Sequence, residues 1–132
     1  IVVERMERYM VRFGNRGLRK FLQAEEIPCA NKPKSAAGLW AAKEALSKAL
    51  GTGIGKELRF SDMQIDKDAR GAPRVTFSPE ATERFGILQA SISITHDGAY
   101  AVAAAMVLCE DQLPSVSLSS LNADSSSLNS MP

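Results

Sequence analysis

The pattern of apolar residues predicts two helices in the first half of the chain. The more regular helix runs from about Ser35 to Leu50, where apolar side chains recur every three or four residues and form a stripe. Ser35 is its expected N-cap, and Gly51 is its expected C-terminal stop. The earlier helix follows a short apolar segment, residues 1–3, which has the pattern of a strand end. Glycines within residues 14–17 interrupt this helix.

The second half of the chain has mainly the patterns of strands. Residues 63–77 predict two short strands around a turn, and a compact helix follows with Ser78 as N-cap and Gly86 as stop. Residues 89–95 alternate and residues 99–109 are largely apolar, which predicts two strands joined by a tight turn. Helices and strands mix without a strict βαβ alternation. The sequence therefore predicts an α+β fold rather than a doubly wound parallel sheet.

Composition and charge narrow the class of protein. The sequence becomes rich in serine from Glu110, so residues 1–109 are expected to form the domain and residues 110–132 a flexible tail. A net charge of +1 gives no sign of a nucleic-acid or membrane-surface protein. No apolar run approaches the roughly 20 residues of a membrane-spanning helix. The two cysteines, Cys29 and Cys109, make no disulfide framework and indicate a reducing cytoplasm.

Local charge is more informative than the total. Residues 4–20 carry six basic side chains and only two acidic ones, Glu4 and Glu7. A basic face of this kind fits an acidic partner, although a solvated helix surface is the more common reason for such a run. The basic residues are Arg5, Arg8, Arg12, Arg16, Arg19 and Lys20.

Three alternate glycines before a lysine, Gly51, Gly53, Gly55 and Lys56, resemble a phosphate-binding loop at first sight. That loop needs four residues between its glycines, a Ser or Thr after the lysine, and a helix that begins there. Here the spacing is one residue short, Glu57 follows the lysine, and the glycines end a helix whose carbonyls repel phosphate. Two interpretations remain open: a helix stop, which explains Gly51 best, or close approach of the backbone to a ligand.

The helix before these glycines carries a second pattern beside its apolar stripe. Trp40, Glu44 and Lys48 lie at i, i+4 and i+8, so they share one face and place a carboxylate beside an ammonium group. On spacing alone this is an ordinary exposed Glu–Lys pair. Lys43 points to a different side of the helix, and Lys56 is expected at the surface.

Three separated segments resemble one known family, and they occur in its order. WAAKEALSKALGTGIG is similar to the signature of the 4′-phosphopantetheinyl transferases, specifically the short holo-[acyl-carrier-protein] synthase type. LRFSDMQIDKDARGAPRVTF and SISITHDGAYAVAAAMV resemble two further segments of that family. The resemblance covers about residues 1–109. It implies a phosphopantetheinyl transferase fold, with a mixed, largely antiparallel sheet packed against a long central helix.

The resemblance also implies an activity. It is the transfer of 4′-phosphopantetheine from coenzyme A to a serine of apo-acyl carrier protein, releasing 3′,5′-ADP, for fatty acid biosynthesis. Mg²⁺ is the implied cofactor, since it is commonly held by one or two carboxylates together with substrate phosphates. A cytoplasmic homotrimer with active sites shared between neighbouring subunits is implied as well. The alternative is a non-catalytic coenzyme A or carrier-protein binding module of the same fold.

The family motif assigns roles to individual residues. Glu44 is the implied metal-binding carboxylate, and Lys48 is the implied contact to the phosphates. Arg5, which matches an arginine on the family's first helix, and Arg12, from the same basic segment, are expected to dock the acidic carrier protein. Lys43 is auxiliary or structural. The residues expected to bind coenzyme A are Lys48, Gly51, Thr52, Gly53, Ile54, Ser93, Thr95 and His96.

Two features depart from the family pattern. The family's second metal carboxylate is an aspartate in a Gly-(Ile/Val)-Asp motif, and counting back from Arg5 places it two residues before Ile1. The strand that carries it is therefore expected to be incomplete here, and a chain that truly began at Ile1 would bind Mg²⁺ poorly. Leu39 stands where many relatives carry an arginine, so any phosphate contact of that arginine must come from elsewhere.

Overall fold

Residues 1–110, which are the residues that the computed structural model describes, contain three α-helices and four β-strands. None of these helices is both long enough and apolar enough to cross a membrane. Apart from Glu110, the predicted serine-rich tail lies outside the described residues. The elements are α1 (Val3–Leu18), α2 (Pro33–Ala49), β1 (Met63–Lys67), β2 (Pro73–Phe77), α3 (Pro79–Phe85), β3 (Ile87–Asp97) and β4 (Tyr100–Cys109), with short 3₁₀ turns at Ile27–Ala30 and Phe60–Asp62.

The strands form two antiparallel pairs. β1 pairs with β2, and the longer β3 pairs with β4 in a hairpin whose register places His96 opposite Ala101. Residues 1–3 extend the second pair, because Ile1 and Ala101 exchange two backbone hydrogen bonds of 2.9 Å and Val2 bridges Tyr100. The predicted α+β class and both predicted hairpins are confirmed.

Helix α2 is the centre of the core, as predicted. Its apolar stripe is buried against the β3–β4 hairpin and α1, and Ala42 and Leu46 are completely buried. The predicted start at Ser35 is wrong: α2 begins at Pro33 with Lys32 as N-cap. Proline suits this position because it lacks an N–H that the first turn would leave unsatisfied. The predicted stop is confirmed, since Gly51 has a left-handed φ of 82°.

Local sequence signals also define the shorter elements. The Ser78 hydroxyl accepts a hydrogen bond from the Ala81 N–H at 3.1 Å and caps α3, and Gly86 ends it with a φ of 62°. Gly14 interrupts α1 with a φ of 57°, as predicted. Gly17 stays helical and fits closely, because a Cβ there would lie 2.8 Å from the ring of Tyr9.

An ion pair between Lys43 and Glu26 is fully buried beneath α2. The ammonium group donates to the carboxylate at 2.8 Å and to the carbonyl oxygens of Phe21 and Phe60 at 2.8 and 3.3 Å. Glu26 also accepts the backbone N–H of Ile65. Burial lowers the pKa of Lys43 from its ordinary value, and the hydrogen bond and charge of Glu26 oppose that shift. Lys43 thus joins three chain segments, in agreement with its predicted structural role.

Candidate functional site

An open groove of about 780 Å³ lies between α1, α2 and the beginning of β4. Its charged side chains are Arg5 from α1 and Glu44 and Lys48 from α2, and Glu44 is the one acidic residue among its lining residues. The other lining residues are Ile1, Val2, Met6, Tyr9, Phe21, Trp40, Ala41, Ala45, Tyr100, Ala101, Val102 and Ala103. A mainly apolar wall with a few convergent charges is typical of a small-molecule site.

The predicted shared face of Trp40, Glu44 and Lys48 is confirmed, because all three line the groove. The indole Nε1–H of Trp40 donates to Oε1 of Glu44 at 2.6 Å, and both side chains are half-buried. Lys48 is exposed one turn further on, near the C-terminus of α2, where the helix dipole favours a cation.

The rings of Phe21 and Phe60 pack against the Trp40 indole. We refer to these three residues as the aromatic cage. The Phe21 ring meets the indole edge-on at a centroid distance of 5.0 Å, and the Phe60 ring lies 5.2 Å away at a tilt of 40°. Such contacts between aromatic rings stabilise one orientation of the side chain. The cage therefore fixes the direction of the Trp40 N–H.

The glycine-rich loop after α2 is not a phosphate cradle. The N–H groups of Thr52 and Gly53 both donate to the carbonyl of Ser47, and the Gly51 N–H donates to that of Lys48. These amides satisfy the end of the helix and are not available to a phosphate. The left-handed φ of Gly53, 66°, accounts for the second glycine, and a Cβ on Gly51 or Gly53 would meet nothing within 4 Å. The backbone there faces open space.

The other residues expected to bind coenzyme A lie outside the groove. His96 at the end of β3 has its Nε2 2.8 Å from the carbonyl oxygen of Lys34, in the first turn of α2. At 1.5 Å of rise per residue, Lys34 is about 15 Å from Glu44 along the helix. Ser93 and Thr95 are exposed on β3. The structure thus brings Arg5, Glu44 and Lys48 together, but not the glycine loop, Ser93, Thr95 or His96.

The acidic side chain that the groove offers to a metal ion is Glu44. Within residues 1–110 no group of three or more His, Cys, Asp or Glu side chains could hold a metal ion. The second carboxylate oxygen of Glu44 accepts no hydrogen bond from those residues, so it is available to a ligand in the groove. A single carboxylate fits Mg²⁺, which commonly takes one or two carboxylates together with substrate phosphates.

The two arginines expected to dock a carrier protein have different surroundings. Arg5 is exposed and lines the groove, so it reaches the candidate site itself. Arg12 is exposed on the outer surface of α1, with its guanidinium carbon 5.1 Å from the ring centroid of Phe13. Lys20 lies 5.7 Å from the same ring centroid, which concentrates positive charge around an exposed aromatic side chain.

Sequence reasoning missed several residues of the groove. The bond between Trp40 and Glu44 had a signal, since i,i+4 side chains face each other on a helix. No sequence signal pointed to Phe21 or to Ala101–Ala103, because only the packing of distant segments brings these residues to α2.

Comparisons with known proteins agree with the resemblance in the sequence. Residues 2–105 match the family model of the 4′-phosphopantetheinyl transferase superfamily. A holo-acyl-carrier-protein synthase of Wolinella succinogenes is 50% identical over 103 residues, 78% of this chain and 87% of the relative. One from a Sulfurovum species is 48% identical over 107 residues, 81% of this chain and 90% of the relative.

Solved structures give the same result. The crystal structure of Helicobacter pylori holo-acyl-carrier-protein synthase in complex with coenzyme A is similar with a TM-score of 0.79 and 43% identity. The match covers 82% of this chain and 95% of that one. From its sequence, its fold and the match of its residues 2–105, the chain belongs to the 4′-phosphopantetheinyl transferase superfamily.

Proposed function

We propose that this protein transfers the 4′-phosphopantetheine arm of coenzyme A to a serine of apo-acyl carrier protein in the cytoplasm, as a step of fatty acid biosynthesis. The observation that carries the proposal is the groove, in which Arg5, Glu44 and Lys48 converge in a chain of this superfamily. The names of the relatives support the same activity, and one solved relative is a complex with coenzyme A.

The reaction is a displacement at phosphorus. The serine hydroxyl releases its proton to solvent as its oxygen forms a bond to the β-phosphorus of coenzyme A. The bond from that phosphorus to the bridging oxygen breaks, and 3′,5′-ADP leaves with that oxygen. Catalysis of such transfers depends mostly on positioning and on neutralising the phosphate oxygens. Mg²⁺ bound at Glu44 would supply part of that neutralisation. Lys48 adds a mobile positive charge one turn away, and Arg5 adds another from the opposite wall.

We propose a second carboxylate for the same groove, the aspartate expected two residues before Ile1. Ile1 pairs with Ala101 in antiparallel register, and Ile1, Ala101 and Ala103 all line the groove. If this pairing continues upstream, the aspartate expected two residues before Ile1 lies opposite Ala103. It shares the strand face of Ile1, since side chains alternate along a strand. This register supports a site with two carboxylates.

The products provide a quantitative test of the proposed reaction. We expect full-length protein, coenzyme A, Mg²⁺ and apo-carrier protein to yield one 3′,5′-ADP for each carrier molecule converted, measured by liquid chromatography. A carrier whose acceptor serine is replaced by alanine is the control and should release none. Binding of coenzyme A without release of 3′,5′-ADP would refute the reaction.

The proposed homotrimer is supported by an exposed apolar face of the β3–β4 hairpin. Tyr100, Val102, Met106 and Leu108 alternate along β4 and are between 50% and 75% exposed. Rows of exposed apolar side chains commonly mark association surfaces. Ser93 and Thr95 lie opposite Ala104 and Val102, on the same face. We infer that neighbouring subunits meet here and that these β3 residues complete a neighbour's groove.

A charge placed on that face is expected to separate the subunits. Met106, 75% exposed, is the test position, and Met106→Glu should convert a trimer to a monomer and abolish transfer. Light scattering after size-exclusion chromatography measures the mass. Val11→Glu is the matched control, since Val11 is 84% exposed on α1 and should leave the trimer intact. A monomeric wild type, or a trimeric Met106→Glu, would contradict the proposed assembly.

Charge reversal on α1 is expected to weaken carrier-protein docking. With Arg5→Glu and Arg12→Glu together, the KM for carrier protein should rise about tenfold, because complementary charge speeds encounter. The rise should shrink at high salt. The control is Lys67→Glu with Arg70→Glu, the same charge change at exposed positions near the β1–β2 turn. Arg5 also lines the groove, so its replacement is expected to affect kcat as well as docking. Arg12 lies outside the groove, so Arg12→Glu alone should raise the KM for carrier protein without changing kcat. An unchanged KM and salt dependence in the double variant would refute the docking face.

A further inference from the structure

Glu44 has two neighbours one helical turn away on α2, and it bonds to only one of them. Residues at i−4 and i+4 face each other on a helix, so Trp40 and Lys48 are both within reach. The Trp40 N–H donates to Oε1 of Glu44 at 2.6 Å. No ion pair within residues 1–110 joins Glu44 to Lys48. The carboxylate is thus held toward the indole and away from the ammonium group.

The indole cannot easily turn away from Glu44. Phe21 and Phe60 pack against it at centroid distances of 5.0 and 5.2 Å, and the two phenylalanine rings also contact each other at 6.1 Å. These contacts stabilise the observed rotamer, because any other would lose the packing against both rings. The direction of the N–H is therefore set by the aromatic cage.

The two phenylalanines of the aromatic cage are hydrogen-bonded to the helix that carries Glu44. The carbonyl oxygens of Phe21 and Phe60 both accept hydrogen bonds from Lys43, the residue immediately before Glu44. Lys43 is in turn held by the buried carboxylate of Glu26. A continuous set of contacts thus runs from the buried ion pair through the cage to the carboxylate in the groove.

We propose that Trp40 is a positioning residue for Glu44: its N–H occupies one carboxylate oxygen, leaves the other to the groove and keeps Glu44 from pairing with Lys48. This rests on the proposed function, which requires the carboxylate and the ammonium group for different partners, a cation and the phosphates. A direct Glu44–Lys48 pair would neutralise each with the other. The indole separates them without adding a charge of its own.

The hydrogen bond can be measured without substrate or metal. Trp40 is the only tryptophan of the chain, so the indole N–H gives a single signal in a ¹H–¹⁵N NMR spectrum of the metal-free protein. A bond to a carboxylate is shorter and stronger than one to a neutral amide. The signal should therefore lie furthest downfield in the wild type, less so in Glu44→Gln, and least in Glu44→Ala. Identical shifts in the wild type and Glu44→Ala would overturn the proposal.

The functional consequence is tested with Trp40→Phe, which keeps an aromatic ring in the cage but removes the donor. The Mg²⁺ concentration for half-maximal activity should rise about tenfold, while kcat at saturating Mg²⁺ changes by less than about threefold. Phe85→Leu is the control for a general change in side-chain packing, since Phe85 lies on α3 away from the groove, and it should leave the Mg²⁺ midpoint unchanged. An unchanged Mg²⁺ midpoint in Trp40→Phe would refute the positioning role.

Failure of this proposal and failure of the proposed function have different signatures. A wild-type protein that performs no transfer refutes the function, whatever the indole signal does. If the wild type is active but the chemical shift of its indole N–H is unchanged in Glu44→Ala, only the role of Trp40 is refuted.

Discussion

Replacing Glu44 by glutamine is expected to reduce phosphopantetheine transfer by about 10²–10³-fold while leaving the fold intact. Glutamine has nearly the same shape and can still accept the Trp40 N–H, but it lacks the negative charge that holds a cation in the groove. Glu44 is the one acidic residue among the lining residues of the groove, so none of the others can replace it. The measurement is kcat with coenzyme A and apo-carrier protein at saturating Mg²⁺.

The control for this change is Glu83→Gln, which removes an equivalent charge from an exposed position on α3. It should keep normal turnover. Circular dichroism and thermal melting should show both variants folded like the wild type. Normal turnover by Glu44→Gln would contradict the metal-binding role assigned to Glu44.

Replacing Lys43 by methionine is expected to lower the free energy of unfolding by about 3–5 kcal/mol. Lys43 and Glu26 are both fully buried, and loss of the ammonium group would leave the carboxylate as an uncompensated buried charge. It would also release the carbonyl oxygens of Phe21 and Phe60 from their donor. Urea unfolding at neutral pH measures the change.

Two further variants separate a buried-charge effect from a general loss of packing. Combining Lys43→Met with Glu26→Gln removes both charges and should recover much of the lost stability, since no unpaired charge remains. Arg74→Met breaks the exposed ion pair with Asp66. It should hardly change the midpoint of urea unfolding, because solvent screens that pair. A double variant as unstable as Lys43→Met alone would show that the buried charge is not the cause.

The sequence was sufficient for elements whose signals are local. Ser78, Pro79 and Gly86 define α3 through its cap, its first turn and its left-handed end, and all three lie within nine residues of chain. The start of α2 was misplaced because Ser35 has the chemistry of a cap, whereas Pro33 already has the backbone geometry of a first turn. Both are valid local signals, so the sequence alone does not decide between them.

The candidate site was predictable only in part. The shared face of Glu44 and Lys48 follows from helical spacing, and the family motif pointed to their chemistry. The partner of Lys43 was not predictable, because Glu26 lies 17 residues away and no periodic pattern links the two. The opposite wall of the groove comes from both ends of the domain, Arg5 on α1 and Val102 on β4, which only tertiary packing brings together.

Intact-mass spectrometry of the carrier protein is the most sensitive way to detect phosphopantetheine transfer by this protein. Apo-acyl carrier protein is incubated with coenzyme A, Mg²⁺ and either the full-length wild type or its Glu44→Gln variant. The wild type should add one phosphopantetheine group to each carrier molecule, and the variant should leave nearly all of the carrier unmodified over the same time. A carrier that stays unmodified with the folded wild type, or is modified equally by both proteins, would contradict this expectation.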